Sequence, residues 1–340
     1  MQSYSNFSVG GSVSVNCHGR YVGNGGIGNT VRAIQLVTAR GEVVEVTRNQ
    51  HAEIFYAVLG GYGGVGVVTE VELDLATNTK MKRIVEKISL SDYPVWFYEH
   101  VLNNPRVVMH NANLTPPSFD EPLAVSWIET NEELTDTRRL WEHNHKYSKQ
   151  QNLIWAGTEL PFGDDLASMY VNQKMLGQKS VVMRNLEASL DVAQLEPRTR
   201  LFSQYLLQEY FIPTENFLSF AQAMKHLIKE YDVKALNISI RHSPSDHSSI
   251  LRWAPCDVFS FVLYHKVRNT AWADIRCEAW TQKLIDVALQ HGGRYYLPYR
   301  LAATKQQFWQ AYPEAKQYVD IKRQVDPTYR FNNALLNRYL

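Results

Sequence analysis

Two residues carry charge where the surrounding sequence is otherwise apolar or neutral. Glu209 sits in an extended run, 205–212, that is apolar at Leu206, Leu207, Phe211 and Ile212. Burying a carboxylate among such neighbours is costly unless it is paired or functional. Glu209 is therefore either a proton acceptor or half of a structural ion pair. Arg241 ends the run 235–241, where period-two alternation puts Asn237, Ser239 and Arg241 on one face. That face either meets water or binds a polyol, with Arg241 stabilising negative charge that develops on an alcohol oxygen. His242, next in the chain, is a weaker acid–base candidate.

Glycine supplies the second signal. The pattern GxGxxG occurs twice, at Gly61, Gly63 and Gly66 and at Gly23, Gly25 and Gly28. A Rossmann dinucleotide site needs that pattern to follow a strand and open a helix, whose N-terminus binds the pyrophosphate. Here the Gly61 run follows a helical pattern and both runs lead into extended sequence. A nicotinamide-dependent dehydrogenase is thus a weak reading, which a helix directly after Gly66 would revive and a strand would end. Together with Val9, Gly10, Gly11, Ser12, Val13 and Ser14, these segments read as three glycine-rich loops whose N–H groups can approach an anion or a flat ring closely. The alternative is a plain loop-rich β-domain.

The elements that must position these residues follow from periodicity. Runs 30–38 and 43–47, joined at Arg40-Gly41, predict a β-hairpin. A short helix over 51–59, a glycine break at 60–66 and a half-buried strand at 67–75 come next. Strands are expected at 81–90, 107–114, 123–129, 205–212, 235–241 and 258–265. Helices are expected at 93–102, at 214–231 with Thr214 as its cap, and at 271–291 ending on Gly292-Gly293. Strand–helix–strand–strand therefore appears twice, which predicts one antiparallel sheet covered by helices on one face. The uneven stretch 131–201 reads as helical or loop insertion, and the tail has short helices near 304–311 and 313–324.

Composition narrows the function classes. A formal net charge of +1 over 340 residues, without a basic block, argues against nucleic-acid partners. Cys17, Cys256 and Cys277 are odd in number and lack metal spacing, so they read as free buried thiols, and no metal site is expected. No apolar run approaches a membrane span, and the first residues are not a secretory signal, which predicts a cytoplasmic protein.

The ordered motifs resemble a known family. Val9-Gly10-Gly11-Ser12, His18-Gly19, Asn29-Thr30-Val31 and the Arg40-Gly41-Glu42 turn are similar to the second flavin-binding subdomain of the vanillyl-alcohol oxidase (p-cresol methylhydroxylase, PCMH) family. Glu53-Ile54-Phe55 and the run 60–69 resemble its closing segment. Glu209-Tyr210-Phe211-Ile212-Pro213, Ser239-Ile240-Arg241, Gly292-Gly293-Arg294-Tyr295-Tyr296, Asp326-Pro327 and Phe331-Asn332 resemble the sugar-directed branch, with its aldonolactone, alditol and decaprenylphosphoryl-ribose oxidases.

The resemblance implies an α+β fold: a truncated PCMH-type FAD-binding domain and an antiparallel-sheet cap. Residues 1–80 would be the second FAD subdomain, 81–292 the cap that holds substrate, and 293–340 a segment returning to the FAD domain. It implies FAD as cofactor and hydride transfer from a CH–OH carbon of a sugar-like, lactone or polyol substrate, with oxygen or another acceptor completing the cycle. Gly10, Gly11, Ser12, Ser14, His18, Gly19 and Gly23 would line the ring and ribityl side, with Gly66, Val67 and Val68 at the adenine half. For His18 the alternative is a loop histidine bonded to backbone. Ser260 falls near a pocket cysteine of one branch. Tyr299 falls near the lysine of several relatives, with Arg300 beside it, which leaves three alternatives: Tyr299 as the base, Arg300 as the source of charge, or Glu209 acting instead.

In the family a βαβ subdomain, carrying the pyrophosphate loop and the histidine that some members link to flavin, precedes the Gly10-Gly11 motif. Cys17 does not match the family's cysteinyl link. The expectation is a chain dependent on a missing N-terminal segment or on self-association, with a non-catalytic binding module as the alternative.

Overall fold

The computed structural model describes residues 3–142, 147–159, 176–177 and 179–340. It begins with α1 (Val9–Ser14), a helix where a glycine-rich loop was expected. Two glycines disfavour a helix, but Ser8 accepts a hydrogen bond from the Gly11 N–H and Val13 is buried, which together hold the turn. The hairpin follows as β1 (Val31–Val37) and β2 (Val43–Thr47), with Gly41 at φ +82° in the turn. After α2 (Ala52–Val58), β3 (Val67–Leu73) pairs with β1 to complete a three-stranded antiparallel sheet in the order β2-β1-β3. That strand begins directly after Gly66, which ends the dinucleotide reading of the glycines. Gly66 itself is required by packing: a Cβ there would lie 2.7 Å from Leu36 Cγ and 2.8 Å from the Val37 carbonyl oxygen.

The rest of the chain builds an eight-stranded sheet. Its strands are β4 (Lys80–Lys87), β5 (Val107–Leu114), β6 (Leu123–Glu129), β7 (Val181–Met183), β8 (Ser203–Pro213), β9 (Lys234–Ser243), β10 (Val258–Arg268) and β11 (Arg294–Tyr295). They run in the order β11-β8-β10-β9-β5-β6-β4-β7, with every pairing among the described residues antiparallel. The helices are α3 (Tyr93–Phe97), α4 (Ser148–Glu159), α5 (Phe217–Glu230), α6 (Ala271–Gln290), α7 (Lys305–Ala311), α8 (Ala315–Val325) and α9 (Ala334–Tyr339).

Alternation sorts the sheet's two faces. Tyr210, Phe259 and Phe261 stack on Phe217 and Phe220 of α5, and His265 meets Trp280 of α6 edge-on. These contacts, with Phe97 of α3 against Phe259, form the main core. The residues between them, Glu209, Phe211, Ser260 and Val262, point to the opposite face.

Several local expectations are corrected. Thr214 does not cap α5; Thr214–Asn216 form a separate tight turn after Pro213, and the helix starts without a side-chain cap. The helices do not all share one face. The carbonyl of Thr158 and the carboxylate of Glu159, in α4, receive Lys266, and the Thr158 hydroxyl contacts Tyr205, on the Glu209 side of the sheet. The insertion 131–201 contributes β7 to the sheet edge; residues 143–146, 160–175 and 178 of it lie outside the described residues. Cys256 is exposed, because it sits in the loop before β10 rather than in the core.

The tail closes on the glycine loop. Tyr318 donates to the Gly61 carbonyl at 2.7 Å, Lys322 to the Gly64 carbonyl at 2.7 Å, and Asn333 to the Tyr62 carbonyl at 2.8 Å.

Candidate active site

On the face opposite the main helices, Glu209 is 1% exposed and faces His18. His18 Nε2 lies 2.8 Å from Glu209 Oε1. Oε1 has no other hydrogen-bond partner. Tyr299 donates weakly to the other oxygen, Oε2, at 3.5 Å. Burial alone would raise the Glu209 carboxyl, but the charge of His18, then that of Arg241, outweighs it and holds the group below its ordinary value. Glu209 is therefore a carboxylate at neutral pH. Burial, reinforced by the Glu209 charge, pushes the Tyr299 hydroxyl far up, so it donates rather than accepts.

The sheet register brings the other candidates alongside. Ser260 is paired with Phe211 on one side and Arg241 on the other, while Val262 lies between Glu209 and Ser239. Ser260 Oγ, Arg241 Nε and His18 Nδ1 are all buried without a partner. Three unpartnered polar atoms around one buried carboxylate are uncommon in a protein interior.

His18 reaches this place because its loop is pinned. Trp253 donates to the Asn16 carbonyl at 3.0 Å and Tyr296 to the Val15 carbonyl at 2.8 Å. Asn16, at φ +45°, donates to Asp246 at 3.0 Å and accepts from the Gly28 N–H at 2.9 Å. The His18 ring is then boxed by Trp253, Phe211 and Tyr296, with centroids 4.8, 5.3 and 5.7 Å away. His18 is thus a carboxylate partner rather than a loop histidine bonded to backbone.

Two candidates stand apart. Arg300 turns outward from the loop after Pro298 and forms an exposed ion pair with Asp274 of α6 at 3.1 Å, so it is not brought to Glu209. His242 points to the helix face among Phe97 and Phe259, where burial lowers it to about 4. Among the described residues no group of side chains could hold a metal ion.

The glycine side has room for a flat group. A Cβ added at Gly10 or Gly23 would meet no atom within 4 Å, and Gly23 sits at φ +72°. Gly11, Ser12 and Ser14 belong to α1, and Gly19 follows His18 directly. Gly66 immediately precedes β3 in the small sheet, which Val67 and Val68 start, with Val67 half exposed. The open backbone at Gly10 and Gly23 and the free hydrogen-bonding atoms of His18 and Ser260 are each compatible with a planar group rich in hydrogen-bonding atoms.

Sequence reasoning missed Trp253 and gave Asn16 no role; Tyr296 stands in the Gly292-Gly293-Arg294-Tyr295-Tyr296 motif, but as part of a resemblance and without a task.

Antiparallel sheets packed with helices, one sheet carrying a buried carboxylate that faces a histidine, define the fold class as α+β. The family model for D-arabinono-1,4-lactone oxidase matches residues 123–339, more than half of the chain. The chain belongs to that family of FAD-linked oxidases. It is similar to L-gulonolactone oxidase of Bos taurus, 20% identical over 355 aligned positions that cover 98% of this chain and 74% of the relative. Alditol oxidase of a Streptomyces species is 39% identical over 75 residues, 22% of this chain and 18% of the relative. Cytokinin dehydrogenase 4 of Oryza sativa is 33% identical over 91 residues, 26% of this chain and only 17% of the relative. Among the described residues no helix is long and apolar enough to cross a membrane.

Proposed function

We propose that this protein oxidises a CH–OH carbon of a sugar-like, lactone or polyol substrate with bound FAD. The observation that carries the reading is the buried Glu209–His18 pair beside the unpartnered Arg241 Nε and Ser260 Oγ. When bound, FAD supplies the hydride acceptor, with oxygen or another acceptor removing the electrons. Glu209 Oε2, the oxygen that does not face His18, takes the proton from the substrate hydroxyl. Arg241 stabilises the oxygen as it gains negative charge, and Ser260 fixes its position. Tyr299 keeps its proton and orients Glu209. His18 holds the carboxylate ionised, and the aromatic box around it excludes water.

On this reading residues 1–80 and 293–340 make the cofactor side and 81–292 the substrate side. Support comes from the tail contacts to Gly61 and Gly64. Gly10, Gly11, Ser12, Ser14, Gly19 and Gly23 would hold the ring side, and Gly66, Val67 and Val68 the adenine half.

The test is anaerobic flavin reduction by alditols and aldonolactones, followed by the loss of visible absorbance. Glu209→Gln should keep the flavin and slow its reduction by about 100-fold or more. Reduction at the parent rate with every accepted substrate removes Glu209 from the chemistry.

A further inference from the structure

The polar strip that holds Arg241 does not end on its own strand. On β5, Asn113 is paired with Ser239, and its Oδ1 accepts a hydrogen bond from Asn237 Nδ2 at 3.1 Å. The strip stops one strand further on, where β6 presents the buried, apolar Leu123 opposite Asn113. The Asn113–Asn237 pair is half satisfied: Asn237 Oδ1 is buried with no partner, while both residues keep part of their surface open. An unmet carbonyl oxygen beside partly open carboxamide donors, on the same face as the proposed reaction centre, is suited to hydroxyl groups that both donate and accept.

We infer that Asn113 and Asn237 form a distal subsite that recognises hydroxyls remote from the carbon being oxidised. This deepens, and rests on, the reading given under Proposed function. Geometry sets the length of substrate it selects. Ser260 on β10 is two strands from Asn113, about 9.6 Å across the sheet, and one pleat repeat away, about 6.8 Å along it. The diagonal is about 12 Å, and a hydrogen bond of about 2.8 Å at each end leaves about 6 Å between the two substrate oxygens. A four- or five-carbon polyol, or a lactone with a hydroxylated side chain, spans that gap and glycerol does not. Leu123 closes the far end to charge, so the subsite favours neutral hydroxyls over a terminal phosphate or carboxylate.

The experiment measures binding of xylitol and of glycerol to the FAD-supplemented chain by ligand-observed NMR, for the parent, Asn113→Ala and Asn237→Ala. The parent should prefer xylitol, and each substitution should cut the xylitol-over-glycerol ratio about tenfold, the loss expected for one or two hydroxyl hydrogen bonds. Unfolding midpoints close to the parent's separate this loss from a folding defect. If either variant fails to fold, Asn113→Ser, which keeps a hydroxyl but shortens the reach, supplies the same ratio. A parent preference that survives all the substitutions overturns the subsite and leaves the proposed reaction standing. A parent that binds no alditol and whose flavin no alditol or aldonolactone reduces overturns both.

Discussion

Replacing His18 with glutamine tests whether the imidazole is what keeps Glu209 charged. Both side chains are 2% exposed and their facing atoms are 2.8 Å apart. The substitution leaves a carboxylate almost out of water, with the long contact from Tyr299, the Ser260 hydroxyl and the charge of Arg241 nearby. Removing the partner of a buried charged group costs at least about 1–3 kcal/mol, because the desolvation of the survivor is no longer offset. The carboxylate can reduce that cost by taking up a proton, which gives the effect a pH signature.

In the parent the Glu209 carboxyl lies below its ordinary value. It therefore adds stability that is present above the unfolded carboxyl pKa of about 4.3 and is lost as pH falls through the folded value. Without His18, burial prevails and the carboxyl moves up, so the variant is weakest at pH 8 and closes on the parent towards pH 5. Urea unfolding midpoints at the two pH values measure this. Adding Glu209→Gln to His18→Gln removes the stranded charge, and the pair should show a coupling of about 2–3 kcal/mol at pH 8. A single variant within about 0.5 kcal/mol of the parent at pH 8, or a double variant whose losses simply add, refutes the argument.

Lys322→Met should destabilise by about 3–5 kcal/mol in urea unfolding. It strands the fully buried Asp326 and releases the Gly64 and Phe331 carbonyls that the ammonium now holds. Gly10→Ala should leave stability within about 1 kcal/mol, since its Cβ meets nothing. The same substitution should strip FAD during gel filtration; retained flavin would remove Gly10 from the cofactor side. Arg300→Ala removes only an exposed ion pair with Asp274, so stability should change by about 0–1 kcal/mol and flavin reduction should match the parent. A hundredfold slower reduction would return Arg300 to the site.

Most of the sheet is readable from alternation because its strands are long and one face is apolar. Strands β5 and β6 fall on residues 107–114 and 123–129, as periodicity predicts. The two-residue β11 and three-residue β7 are too short to carry a period, and they exist because a neighbouring strand leaves an edge to pair with. Helix α1 defeats propensity through its Ser8 cap and the burial of Val13. Glu209 and Arg241 stand out because each is a lone charge in a strand. The partner of Glu209 does not, since His18 lies far earlier in the chain and only the folded loop brings them together. Arg300 is misjudged for the converse reason. A loop has no period to say which way a side chain turns, and the carboxylate of Asp274 decides it.

The tail that clasps the glycine loop also sets an order of events in time. The carbonyls of Gly61, Tyr62 and Gly64 are held by Tyr318, Lys322 and Asn333, which are synthesised long after the loop itself. A ribosome must therefore release the chain past residue 333 before all three carbonyls can be held. A nascent chain arrested short of residue 318 lacks all three clasps, so the glycine loop settles after the strands of the eight-stranded sheet have been made.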